Sequence, residues 1–242
     1  MRRRVVVGLA ASTLAGTVFL VATMPVETRR GVNFEVSTHR VPLYQKAFDF
    51  VYRSRHYQVL ADETTATAST EPERVLAIFD WTQRNVPPTP DGWAVVDDHI
   101  LNIVIRGHGT ADQRADVFTT LCTYAGVPAF WTKVKPQGLR NGLILSFALV
   151  DGRWVVFDVH NAVVFRNDRG ELATPDDLRG RRDLIPPAVR ELKFRGTPYP
   201  RFLEHLRLPP VPSPLRAELQ MPWWRFRHEL GRALGAGESD GF

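Results

Sequence analysis

Apolar positions along the chain switch between helical and strand spacing, and each switch predicts an element. From Pro42 onward, Leu43, Ala47, Phe50 and Val51 recur at helical intervals, predicting a helix to about Tyr57. Residues 61–70 (ADETTATAST) carry no such pattern and read as a loop. Thr70-Glu71-Pro72-Glu73 has the form of a capping box with proline in the first turn. It opens a helix through Val75, Ile78, Phe79 and Thr82 that Pro87, Pro88 and Pro90 end. A second box, Thr110-Ala111-Asp112-Gln113, starts a helix with Ala111, Ala115, Phe118, Leu121, Cys122 and Ala125 on one face. Gly126 stops it and Pro128 follows. Strands are then predicted over Ala129–Val134, Leu143–Val150 and Arg153–Val159, with a Pro136–Gly142 loop and an Asp151-Gly152 hairpin turn. Val163–Phe165 reads as a further strand before the Asn167–Gly170 turn, and Thr174 caps a short helix from Pro175. A helix packed on an antiparallel sheet gives the α+β class.

The ends of the chain differ from this body. Arg2-Arg3-Arg4 precedes an uncharged stretch from Val5 to Val26. About 20 apolar residues span a bilayer as a helix, whereas the apolar region of a signal peptide runs roughly 7–15. No clean small-x-small cleavage site closes the stretch. Residues 1–30 are therefore expected to be a membrane anchor with an extracytoplasmic body, the alternative being secretion after signal cleavage. Residues 31–69 read as a linker and helix, 70–185 as the main domain, and 186–242 as a proline-rich extension. The extension ends in an amphipathic helix whose Trp223, Phe226, Leu230 and Leu234 share one face. That face is expected to pack back on the domain, with a membrane surface or a partner's groove as the other occupants.

Charge removes one class of partner. The formal net charge is +5, but residues 1–30 (five Arg, one Glu) account for +4 of it, leaving a near-neutral body. The basic face that phosphate binding requires is absent, which argues against nucleic acid. A single cysteine, Cys122, excludes a disulfide framework and cysteine-rich zinc sites.

Residues 107–131, GHGTADQRADVFTTLCTYAGVPAFW, resemble the core-helix region of the transglutaminase-like (papain-like cysteine transferase/protease) superfamily. The resemblance rests on Gly109, Ala115, Phe118, Leu121, Gly126, Val127, Pro128 and Ala129, and continues in Asp151-Gly152-Arg153-Trp154 and Asp158. Val75–Asn85 is similar to the preceding helix of the family. The resemblance implies a papain/transglutaminase-like core helix on an antiparallel sheet. It also implies a Cys thiolate at the helix start, a His on the following strand, and an Asp that orients the His. Here the nucleophile position is Ala111, the His position falls at Leu143 give or take a residue, and only Asp158 remains.

The expectation that follows is a catalytically inactive domain that binds a peptide, a protein or an envelope polymer in its degenerate cleft. A setting in polysaccharide or cell-envelope systems is implied by the resemblance alone. The rival is an active amide hydrolase or transferase with a relocated nucleophile. A third class is a structural anchor that interacts through its tail helix. Cleft candidates are His108, Thr110, Asp112, Gln113, Trp131, Asp158 and His160. Thr110 also reads as an N-cap and Asp112 as compensation of the helix dipole. Trp131 reads as core or as a ligand platform, Trp154 as core. Cys122 lies eleven positions into the helix on its apolar face and reads as core. Ser146 has no evident base in the sequence. The histidines lack metal-ligand spacing, so neither a metal nor a cofactor is expected.

Overall fold

The computed structural model describes residues 2–32, 35–136, 138 and 141–233, and the chain divides into two compact units, 1–53 and 54–242. In the first, α1 (Arg2–Thr23) gives way to a hairpin of β1 (Pro25–Val32) and β2 (Glu35–Pro42), whose register runs from Pro25↔Pro42 to Val32↔Glu35. The expected linker at 31–41 is thus largely one arm of a hairpin. Among the described residues no helix is long and apolar enough to cross a membrane, and the side chains of the first half of the expected membrane helix lie outside those residues. The Thr17 and Thr23 hydroxyls donate to carbonyls one turn back. Helix α2 (Leu43–Thr64) begins in this unit.

The second unit opens with the end of α2, which runs to Thr64, past the expected loop boundary. Ala61 is buried there and Gln58 donates to Asp62 one turn on, so the helix has reason to continue. Then come α3 (Glu71–Asn85), α4 (Ile100–Arg106) and α5 (Ala111–Tyr124). The capping box predicted at Thr70 forms, with Glu73 accepting from the Thr70 N–H and the Thr70 hydroxyl from Glu73. A four-stranded antiparallel sheet follows in the order β3 (Ala129–Val134), β4 (Leu143–Val150), β5 (Arg153–Asp158), β6 (Val163–Val164). Short elements close the chain: α6 (Pro175–Leu178), α7 (Pro187–Arg190), the pair β7 (Lys193–Phe194) and β8 (Thr197–Pro198), and α8 (Pro200–Leu203). The last is α9 (Pro222–Ala233).

Side chains from the two sheet faces enter different cores. Phe157, Val155, Ala148 and Ala129 join Phe79, Phe118 and Leu121 of α3 and α5, with Phe118 and Phe157 ring centroids 5.2 Å apart. Leu143, Leu145, Phe147 and Val156 face the other way, toward Tyr199, Phe202, Leu203 and Leu206 of the extension. Each such fully buried apolar side chain contributes roughly 1.5–3 kcal/mol. The extension therefore forms a third layer, and β4 (LILSFALV) reads as a nearly continuous apolar run because both its faces are covered.

The tail helix corrects a second expectation. Trp223, Phe226 and Leu230 are 69%, 57% and 46% exposed, so the face expected to pack inward points outward; Leu234 lies outside the described residues. The segment before α9 is what docks, through buried Leu215 and Ala217 and the Gln220 carbonyl, which accepts from the Tyr124 hydroxyl.

Candidate functional site

Helix α5 begins directly after the segment 87–109, which contains α4. Gly109 allows the close approach there: a Cβ would stand 3.2 Å from Gln113 Cβ and 3.3 Å from Ile103 Cγ2. Backbone bonds hold the segment, Gly109 N–H to the Pro87 carbonyl and Thr89 N–H to the Gly109 carbonyl. Ala111, which the resemblance puts at the nucleophile position, is the first residue of the helix and is partly exposed. Next to it the Thr110 hydroxyl donates to exposed Asp112 at 2.5 Å.

Gln113 is a knot rather than a free cleft group. Its carbonyl oxygen accepts from the Thr110 N–H and from Arg106, and its amide donates to Asp98 Oδ1 and the Asp97 carbonyl. Only 2% of it is exposed. His108 is also buried, its Nδ1 3.2 Å from Thr89 Oγ1 and its ring edge-on to Trp93. Burial, then the Arg106 charge, pull its imidazole below the ordinary value.

One turn into α5 stands a residue that sequence reasoning passed over. Arg114 is 1% exposed. Its guanidinium donates to the Val86 carbonyl (2.7 Å), the His160 carbonyl (2.7 Å) and Gln83 Oε1. Burial lowers its pKa to about 10, with Asp158 acting against that shift, so it remains charged at neutral pH. Three segments are thereby tied together at the helix start: the end of α3, the loop after β5, and α5 itself. The available signal was an arginine directly before the apolar face of a helix.

The three positions that the resemblance singles out, Ala111, Leu143 and Asp158, lie on three different elements, α5, β4 and β5. Leu143 is buried among the extension-side residues, on the sheet face opposite α5, which a one-residue shift of alignment would reverse. Asp158 is fully buried and its oxygens are occupied. Oδ1 accepts the Asn161 N–H, and Oδ2 accepts the Asn161 amide and the Tyr199 hydroxyl at 2.6 Å. Tyr199 comes from the extension, and its phenol is pushed well above the usual range, first by burial and then by Asp158. His160 sits half-buried at the edge of this network, its Nδ1 without a hydrogen-bond partner among the described residues. Burial lowers its pKa; Asp158 and Asp112 oppose the shift and Arg114 adds to it. His160 thus lies within electrostatic reach of Asp158, Arg114 and Asp112.

Trp131 adjoins that cluster through Asp116, whose carboxyl feels Asp112 and Asp98. Its indole N–H donates to Asp116 Oδ1 at 2.5 Å, and Arg216 lies over its ring while pairing with Asp116 Oδ2 at 3.0 Å. Burial raises the Asp116 pKa to about 6, against the lowering pull of Arg216 and Trp131. Cys122 is fully buried and its thiol is raised well above its ordinary value by burial. Ser146 is equally buried, its hydroxyl without a hydrogen-bond partner among the described residues. Among those residues no three His, Cys, Asp or Glu side chains are placed to hold a metal ion.

Comparison with known proteins agrees with the geometry of the helix and sheet. The family model of the transglutaminase-like superfamily matches residues 58–159. No curated protein matches the chain. Among solved structures, the chain is similar to a candidate protease from Parabacteroides distasonis, at 18% identity and a TM-score of 0.36 over 55% of this chain and 35% of that one. A candidate cysteine protease from Cytophaga hutchinsonii is similar at 21% identity and a TM-score of 0.38, over 49% of this chain and 40% of that one. The chain therefore spans well under half the length of either structure.

Proposed function

We propose that the chain, whose residues 58–159 match the family model of the transglutaminase-like superfamily, works by binding and not by thiol catalysis. One observation carries this reading. The nucleophile position holds the methyl group of Ala111, while the groups that could have served it are spent on structure, Arg114 on three acceptors and Asp158 on Tyr199 and Asn161. A methyl cannot attack a carbonyl. The ligand class in this reading is a peptide, a protein segment or an envelope polymer.

The same proposal puts the body outside the cytoplasmic membrane, with the N-terminal segment as anchor or export signal. Its support is the uncharged run after Arg2-Arg3-Arg4 and the exposure of Leu14, Val18, Phe19 and Leu20 on α1. N-terminal sequencing of the protein recovered from membrane and secreted fractions tests it; an intact chain found only in the cytosol defeats it.

A second reading, an amide hydrolase or transferase with a relocated nucleophile, draws on the Thr110 hydroxyl hydrogen-bonded to Asp112. Assays with labelled glutamine-amide and peptide substrates separate the two, comparing wild type with Asp158→Ala and Thr110→Ala. The binding reading expects no turnover in any of the three. Turnover in the wild type that either substitution abolishes, with the fold intact by circular dichroism, overturns it.

A further inference from the structure

The end of β3 and the chain from Phe202 to Pro210 border a groove of about 370 Å3. Its wall carries Lys133, Lys135, Arg201, His205 and Arg207 and no carboxylate. Arg201 is paired with Glu204 at 2.6 Å; Lys133, Lys135 and Arg207 have no ion pair among the described residues. A second cavity, of about 410 Å3, shares Arg201 with the groove, is also rich in cations and pairs several of them with carboxylates. There Arg181 pairs with Asp168 and Asp183, Arg182 pairs with Glu191, and Glu191 and Glu204 stand in the wall. The first groove, with no carboxylate in its wall, keeps a concentrated positive field that attracts and holds an anion.

The backbone on one side of this groove is equally unspent. Strand β3 is the edge of its sheet, bonded to β4 alone. The Leu149 N–H donates to the Pro128 carbonyl, which makes 128 and 149 a hydrogen-bonded pair. Pairing then alternates, so residues 130, 132 and 134 bond to β4, while Trp131 and Lys133 turn their N–H and C=O groups away from the sheet. Lys133 and Lys135 are two positions apart, roughly 7 Å along an extended chain. Their stems run over Gly142, where a Cβ would stand 2.5 Å from Lys133 Cγ and 3.0 Å from Lys135 Cγ. The opposite wall includes Pro209 and Pro210, which have no N–H to offer a strand.

We propose that this groove binds an acidic, extended segment of a partner protein, added to β3 as a further strand with Asp or Glu at alternate positions facing Lys133 and Lys135. Lysines on a sheet edge repel a second basic strand and so guard against self-pairing. The same charges favour an acidic strand, whose backbone meets the outward groups of Lys133 while its carboxylates meet the ammonium groups. The inference shares with the proposed function only the premise of a binding role. A catalytic domain could carry the same groove, and the silent helix start plays no part in it.

The test uses the full chain and an acetylated, fluorescent heptapeptide of alternating Glu and Thr, read by anisotropy at low and physiological salt. A Glu-Pro heptapeptide keeps the charge but cannot form the ladder, and inorganic polyphosphate represents a plain polyanion. Binding of the Glu-Thr peptide is expected, weakened about tenfold or more by Lys133→Glu with Lys135→Glu and by Arg207→Glu alone. Hydrogen exchange at the Lys133 amide is expected to slow on binding. Absence of Glu-Thr binding overturns the proposal. So does equal affinity for the Glu-Pro peptide or polyphosphate without slower exchange, since the groove would then be a simple anion site. Thermal melts of each variant confirm that it is folded. Amide turnover by the wild type, unchanged in the lysine variants, would break the proposed function while leaving the groove's occupancy to its own result.

Discussion

The start of α5 and the groove beside β3 are both polar and both rich in cations, but they spend their groups in opposite ways. At the helix start Arg114, Gln113 and Asp158 have their hydrogen-bonding capacity taken up by neighbouring chain segments. In the groove Lys133, Lys135 and Arg207 stand unpaired next to a strand with unused backbone groups. A buried polar group left alone costs a great deal, so the first region holds the fold together. An exposed cation costs almost nothing to leave alone, so the second region can wait for a ligand. Resemblance to a family points to the first region, whereas the unspent chemistry lies in the second.

The sharpest way to break this contrast is Arg114→Met. It strands the Val86 and His160 carbonyls and Gln83, and is expected to cost about 3–5 kcal/mol in urea unfolding, as losing one member of a buried charged network does. A loss below about 1 kcal/mol, the scale of an ordinary surface change, would mean that the helix start is not a structural knot.

Asp116 should show a pH dependence of similar size. Its folded pKa of about 6 lies above the unfolded value. The stability it contributes is therefore present in acid, below about pH 4, and is lost as pH rises through 6, a swing on the order of 3 kcal/mol. Asp116→Asn keeps the acceptor for Trp131 and should remove this swing, leaving the variant at least as stable as the wild type at pH 8. Melting both proteins from pH 4 to pH 8 checks it; parallel curves would refute it.

Two smaller effects concern the extension-side face. Tyr199→Phe removes the hydroxyl from buried Asp158 and is expected to cost about 1.5–3 kcal/mol. Leu143→His places an imidazole in an apolar cluster and should cost about 1–3 kcal/mol. Combining it with Ala111→Cys is expected to weaken the fold without restoring an activated thiol. Appearance of a rapidly alkylated thiol in that double variant, against an unreactive Cys122 in the parent, would show that the three positions do converge. Least costly are Lys133→Ala and Lys135→Ala, expected to change stability by under about 0.5 kcal/mol while weakening acidic-peptide binding.

Local signals were legible where the residues that set them are neighbours in the chain. The capping box at Thr70, the stop at Gly126 and the Asp151-Gly152 turn all stand where the sequence puts them, because each rests on contacts within a few residues. Helix α4 was missed, being seven residues long between loops. At the helix start, His160 lies within electrostatic reach of Asp112 and Asp158. The sequence could not tell that Gln113 was spoken for, since Asp98 and Arg106 reach it through a folded loop. The outward face of α9 was unreadable for a related reason: amphipathic spacing shows that a helix has an apolar side, but not whether anything is there to cover it.

From its order of residues alone, the chain determined a helix-and-strand succession that resembles the transglutaminase-like superfamily and the place of its hairpin turn. Only the tertiary structure decided that the proline-rich extension covers the far face of the sheet, that Tyr199 claims Asp158, and that the cations beside β3 go unpaired. The physical reason is range. Backbone propensity and capping act over a few residues, whereas burial and charge compensation depend on which distant segments are brought within a few ångströms of one another.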